Sequence, residues 1–198
     1  ALAIVRREQP DAVLSVDTYR PSVARMCVEE FGADIINDVS EGGITGIVNT
    51  PIHEEESMFE TVARLGVAYI LMSVKPDLYS MMKAFAEEVQ QLRDLGVKDV
   101  ILDPGFGFGK TLEQNYSIMD SLECLHELEL PLLVGISRKS MISRLLHTDA
   151  SGALNGTTAL NTIALLKGAS ILRVHDVREC VEAVRIVGAM RADGSSDL

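Results

Sequence analysis

Six short apolar runs, separated by helical stretches and nearly all ending on polar residues, predict an α/β chain of the TIM (β/α)8 barrel type, with strands 3–8 of the barrel represented. The runs are Val13–Asp17, Ile35–Asp38, Tyr69–Ser73, Val100–Asp103, Leu132–Ile136 and Ile171–Val174. They are continuous rather than alternating, the pattern of parallel strands buried on both faces. Their starts lie about 22 to 39 residues apart, room for one crossover helix each. An open doubly wound sheet fits the same alternation, but there the ligand sits at one switch point and few strand ends need be polar. Here Asp17, Asn37 with Asp38, Ser73, Asp103, Ser137 to Lys139, and Arg173 with His175 all stand at strand ends. A barrel turns every strand end towards one mouth, so this distribution selects the barrel.

The elements follow in order. "ALAIVRREQP" reads as the final turns of a helix stopped by Pro10. Six strands, and 198 residues where ~250 are typical of a barrel, lead to the expectation that two βα units precede residue 1. On this reading residues 1–198 are a single, N-terminally incomplete domain. The expected helices are Pro21–Phe31, Met58–Arg64, Leu78–Leu95, Leu112–Leu128, Ser140–His147, Ala153–Lys167 and Val177–Met190. Pro21 suits a first turn, and Gly32, Gly96 and Gly168 stand where helices should stop. The final "DGSSDL" reads as a frayed tail.

Composition narrows the function. A hydrophobic content of 47% supports one buried core, and no apolar run is long enough to span a membrane. The net charge of −11, from 18 Lys+Arg against 29 Asp+Glu, argues against a nucleic-acid partner. An anionic ligand must then be held by locally placed cations. Cys27, Cys124 and Cys180 are odd in number, far apart and in helical patterns, which reads as reduced thiols in a cytoplasmic protein.

One stretch imitates a nucleotide-binding loop. "ILDPGFGFGKT" ends like G-x-x-x-x-G-K-[ST], in which backbone N–H groups cradle phosphates. The first glycine of that pattern falls on Pro104, which has no N–H and a fixed φ. The strand instead ends on Asp103, which suits a heterocycle's N–H edge. The glycines are expected to turn the backbone so that Phe106 and Phe108 face a flat ligand, with Lys110 pointing to solvent.

At a common mouth the strand ends offer two carboxylates (Asp17, Asp103), an amide (Asn37) and three groups that can be cationic (Lys139, Arg173, His175). The acids and the amide match the donor and acceptor edge of a flat heterocycle. Arg173 can stack on a ring as well as meet an anion, and with His175 it can hold a phosphate or diphosphate. Plainer readings apply to the neighbours. Asp38 and Asp176 read as helix N-caps, while Thr18 can cap in place of Asp17 and leave that carboxylate for a ligand. "SRKS" at 137–140 can be a solvated charge pair with a cap, and His53, His126 and His147 read as surface or satisfied groups. The methionines are mostly core filler, except Met72, which belongs at the mouth.

The segments "SVDT" (15–18), "IIND" (35–38), "LDPGFGFGK" (102–110), "LLVGISRKSMI" (132–142) and "ILRVHDV" (171–177) together resemble dihydropteroate synthases in order, spacing and placement. The resemblance implies a cytoplasmic TIM-barrel transferase of folate biosynthesis, a sulfonamide target. Its reaction condenses 6-hydroxymethyl-7,8-dihydropterin diphosphate with p-aminobenzoate to give 7,8-dihydropteroate and diphosphate. By that resemblance Asp17, Asn37, Asp103 and Lys139 hold the pterin, with Met72 beside it and Arg173 stacked on its face. Arg173 and His175 receive the diphosphate with the help of Mg2+. Ser140 meets the aminobenzoate carboxylate and Phe108 walls its ring. The catalytic set is Asp17, Lys139, Arg173 and His175.

Two departures from the family stand out. Its "NVTPDSF" and "GGESTRP" segments do not occur here, and with the first would go the family's Mg2+ ligand, so no metal ligand is assigned in this chain. The resemblance thus implies that this chain alone is inactive and poorly stable. "LMSVKP" at 71–76 stands where many members read "LMHMxG", which keeps Met72 and loses a histidine. A homodimer through late helices is implied as well. The rival readings are a pterin-binding methyltransferase domain, which has no need of "SRKS" or of the Arg173 and His175 pair, and a non-catalytic pterin-binding barrel.

Overall fold

All six expected strands form, and each expected helix is found at or near its place. The computed structural model describes residues 1–41 and 56–192; His53 and the tail 193–198 lie outside them. The order is α1 (Leu2–Glu8), β1 (Ser15–Asp17), α2 (Pro21–Phe31), β2 (Ile35–Asp38), α3 (Met58–Leu65), β3 (Ala68–Met72), α4 (Leu78–Asp94) and β4 (Val100–Asp103). Then come α5 (Leu112–Asp120), β5 (Leu133–Val134), α6 (Ser140–Leu145), α7 (Leu154–Leu166), β6 (Ile171–Leu172) and α8 (Val177–Ala192). The strands pair in the orders β1-β2-β3-β4 and β5-β6. β1 runs parallel to β2 with Asp17 opposite Asn37, β2 runs parallel to β3, and β5 runs parallel to β6 with Val134 opposite Leu172.

The chain divides into two compact units, Ala1–Ser73 with Lys83–Leu102, and Val74–Met82 with Asp103–Leu198. In the first, Phe59 of α3 meets Tyr69 of β3 edge to face at 5.7 Å, inside a core that includes Ile36, Val62 and Leu71. α3 starts from a capping box in which Ser57 and Glu60 satisfy each other's backbone N–H. α1 buries no residue. Arg6 fastens it instead, donating to the carbonyls of Phe31, Pro10, Ala12 and Gly32. In the second unit Phe106, Leu122, Val134, Ile136 and Ile142 are buried, and α8 packs on α7 through Leu165, Ala183 and Val187.

Three expectations change. The helix expected over Leu112–Leu128 ends at Asp120 and continues as a 3-10 helix, Leu122–Leu128. Asp120 and Ser121 are weak helix formers, and the continuation buries only Leu122 and Leu125. That three-residue spacing is the repeat of a 3-10 helix. α6 stops at Leu145, two residues early, and His147 takes a left-handed φ of 51°. Two-sided burial holds for β4 but not for β1, where Ser15 and Asp17 are exposed. Both strands end the order β1-β2-β3-β4, so the difference lies in how their faces are covered and not in their place in the sheet. Gly32, Gly96 and Gly168 do follow helix ends, and the three cysteines are free thiols. Among the described residues no helix is long and apolar enough to cross a membrane.

Candidate active site

In the first unit, register brings Asp17 and Asn37 together. They are directly opposite on β1 and β2, so their side chains leave the sheet on one face. Asn37 Nδ2 donates to Asp17 Oδ1, tying an exposed carboxylate to a nearly buried amide. Thr18 does not cap α2. Its hydroxyl accepts from Arg20 N, and the N-cap position, Arg20, has no side-chain cap. Asp38 points to the opposite face and is fully buried. Both its oxygens are engaged: Oδ2 accepts from the Tyr69 hydroxyl at 2.8 Å, while Oδ1 accepts from Ser40 N and Oγ, and the helix it is expected to cap lies outside the described residues. Met72, at the end of β3, is fully buried.

In the second unit, Asp103 at the end of β4 is 1% exposed, and both its oxygens are engaged. Oδ1 accepts from Gly105 N at 2.8 Å, folding the loop back over Pro104. Oδ2 accepts from Arg173 Nη2 at 2.9 Å. The guanidinium reaches it by lying over Gly135 of the segment after β5. A Cβ at that glycine would stand 2.7 Å from Arg173 Nη2.

The glycine loop places its two phenylalanines differently. Phe106 is fully buried, which corrects the expectation that it faces a ligand, while Phe108 is half-buried. Gly107 has φ +83°, where an L side chain is strained, and its N–H donates to Asn115 Oδ1 at 2.7 Å. Asn115 also donates to the carbonyls of Lys110 and Thr111, so one buried amide fixes the loop's exit. Lys110 does not point to solvent. Its Nζ donates to Gly105 O at 3.0 Å and Phe108 O at 3.3 Å.

Lys139 runs its methylenes along Gly107, donates from Nζ to Phe106 O, and holds that charge 4.8 Å from the centre of the Phe108 ring. Burial lowers its pKa to about 8; Asp103 opposes the shift and Arg173 adds to it. The "SRKS" segment is therefore not a solvated charge pair. Arg138 is bound to Asp176, which corrects the reading of Asp176 as a cap. Hydrogen bonding from Arg138 holds the Asp176 carboxyl below its ordinary range. Ser140 is exposed at the start of α6. His175 is exposed as well, and its N–H donates to Ser137 Oγ at 3.2 Å.

The structure thus gathers Asp17 with Asn37, and separately Asp103, Phe108, Lys139 and Arg173. Two residues that support the second group, Asn115 and Gly135, are not singled out by the sequence, and Arg138 is singled out there only as part of a solvated charge pair. Gly135 had a signal, since a glycine inside an apolar strand pattern marks close backbone approach. Nothing in the sequence links Arg138 to Asp176, which lies 38 residues further on.

The chain matches the family described as "Pterin binding enzyme" over residues 1–175. It is 39% identical over 191 residues to the dihydropteroate synthase of Escherichia coli K12, covering 89% of this chain and 64% of that protein. It is 35% identical over 189 residues to that of Bacillus subtilis, covering 91% and 62%. The chain therefore spans slightly less than two thirds of the length of these relatives. Among solved structures, Yersinia pestis DHPS with a pterine-sulfa conjugate superposes with a TM-score of 0.85 at 35% identity, over 97% of this chain and 73% of the other. A Coxiella burnetii dihydropteroate synthase in complex with pteroic acid gives 0.84 at 31% identity, over 96% and 72%. These likenesses bear out the expected fold class, a TIM-barrel α/β fold.

Proposed function

The chain belongs to the pterin-binding enzyme family, and from that premise we propose that it carries dihydropteroate synthase activity. In this reading the substrates are 6-hydroxymethyl-7,8-dihydropterin diphosphate and p-aminobenzoate, and the setting is cytoplasmic folate biosynthesis. The observation that carries it is the group at the ends of the last three strands: a buried carboxylate, a guanidinium paired with it, and a desolvated lysine beside an aromatic ring.

The roles are those that the resemblance implies. Asp17, Asn37, Asp103 and Lys139 hold the pterin's polar edge, with Met72 beside it, and Arg173 lies on the ring face. The C–O bond to diphosphate breaks and its electron pair leaves with the diphosphate, whose charge Arg173 and His175 stabilise. The pterin methylene becomes cationic, and the nearby carboxylates favour that charge. The aniline nitrogen, placed by Ser140 and Phe108, forms the new C–N bond and loses a proton. No covalent intermediate with the protein is involved. When bound, Mg2+ would supply counter-charge to the diphosphate, as a cation held through few carboxylates and substrate phosphates. Among the described residues no cluster of three or more His, Cys, Asp or Glu stands ready for a metal, and no residue of this chain is assigned to the Mg2+. A homodimer through α7 and α8 is part of the proposal, supported by exposed Ile163, Leu166, Val181, Val184, Ile186 and Met190.

Calorimetry tests the reading. Pterin diphosphate with Mg2+ is expected to bind first, and p-aminobenzoate to bind only afterwards. If aminobenzoate is ignored under both conditions, the synthase reading fails in favour of the methyltransferase or the non-catalytic barrel.

The lysine adds a pH signature. Lys139 has its pKa lowered from 10.5 to about 8, so between these values the unfolded chain binds more protons than the folded one. Its contribution to stability therefore rises from about pH 8 to about pH 10.5, while the charge it offers a ligand is lost over the start of that window. Pterin binding is expected to weaken above about pH 8, and Lys139→Met to remove that basic limb along with most of the affinity. An identical basic limb in Lys139→Met would show that another group titrates.

A further inference from the structure

Two loops of the second unit carry residues assigned above to the reaction. The loop after β5 supplies Lys139 and Ser140, and the loop after β6 supplies Arg173 and His175. Between them lies Arg138, whose backbone φ of +54° is uncommon for a residue with a side chain. Such a conformation persists where the surroundings impose it, and here they do. Arg138 N donates to Thr157 Oγ1 of α7 at 3.0 Å. Its Nε and Nη2 donate to the two oxygens of Asp176 at 2.9 and 2.7 Å, a bidentate match of fork to carboxylate. Nη1 donates to Ala150 O at 2.8 Å and to Ser151 O at 3.3 Å. Every nitrogen of the guanidinium is committed within the chain, so this arginine is a strut and not a ligand. A second bond, His175 N to Ser137 Oγ, joins the same two loops one residue away from each end of the strut.

We infer that Arg138 and Asp176 form a positioning pair, which locks the loop after β5 to the loop after β6 and so sets where Lys139 and His175 stand. The inference rests on the roles given above to those two neighbours. It does not depend on them for its test, because the placement of Lys139 can be read without any ligand. The pair acts as a unit: a lysine at 138 keeps the charge but loses the fork, and an asparagine at 176 keeps the shape but loses the negative charge and one of the two acceptor oxygens.

The test uses the 198-residue chain as Arg138→Lys, Asp176→Asn and the double variant. The Lys139 titration is followed by NMR of 13C-methylated lysines, and pterin diphosphate binding by calorimetry. Each single variant is expected to move the Lys139 midpoint towards the ordinary lysine value and to weaken binding about tenfold or more. The double variant is expected to lose no more than about twofold beyond either single, the mark of residues that act together. An unmoved Lys139 midpoint in the folded variants overturns the inference, as do binding losses that multiply in the double variant. Should Asp176→Asn fail to fold, Asp176→Glu keeps the charge while displacing it by a methylene, and the same two outcomes decide. If the unaltered chain binds no pterin diphosphate, the functional reading falls, while the titration still decides the positioning pair.

Discussion

In a dihydropteroate synthase that contains this chain, Asp103→Asn is expected to lower dihydropteroate formation about 10³-fold, the scale set by removing one preorganised electrostatic group. Asparagine fills the same volume and can still accept from Gly105 N, so the loop after β4 keeps its fold. What disappears is the anion beside Arg173 and beside the pterin edge. The Arg173 side chain is 37% exposed, so water can take over part of its solvation. The stability loss is accordingly expected to stay near 1–3 kcal/mol, the cost of one unsatisfied buried hydrogen-bonding group. Denaturant unfolding and turnover measured on one preparation check both halves. A rate within tenfold of the parent would remove Asp103 from the reaction. Asp103→Ala should lose the Gly105 bond too, and be less stable than Asp103→Asn.

Gly135→Ala separates placement from stability. The added Cβ would lie 2.7 Å from Nη2, 2.9 Å from Nε and 3.0 Å from Cζ of Arg173. All three atoms belong to the end of a flexible side chain, so the guanidinium is expected to yield and the backbone to stay. The stability change should fall within about 1 kcal/mol, since no core atom is displaced. Activity is expected to drop about 10²-fold, because a displacement of about 1 Å at a positioned group carries that cost. A variant as active as the parent would mean that Arg173 need not lie against residue 135. A variant that loses activity and unfolding midpoint in step would mean that the backbone, not the guanidinium, moves.

The strands were legible because buried parallel strands must be continuous apolar runs, and nothing else in the chain produces "VILD" or "IIND" beside a helical pattern. Site residues at strand ends were legible for a related reason, as a polar side chain closing such a run needs a purpose. What was not legible is the pairing of side chains distant in sequence. Asp38 meets Tyr69 and Asp176 meets Arg138, partners 31 and 38 residues away, while the sequence around Asp176 points to a cap for the helix that follows it. Local grammar favours the nearby N–H, and only the fold reveals the competing partner. Phe106 and Phe108 show the same limit. Two identical side chains in one glycine loop were treated alike, yet the turns send one into the core and leave the other half-buried beside Lys139.

The bond from Lys110 back to its own loop has an entropic consequence. Glycine-rich segments have the most conformational freedom to surrender, and a loose one surrenders it when its ligand arrives, at the expense of affinity. By tying the carbonyls of residues 105 and 108 together, the lysine transfers that loss to the folding step. The residue that makes the stretch look like a phosphate loop thus acts on the chain's own peptide dipoles, and binding inherits a loop whose disorder has already been removed.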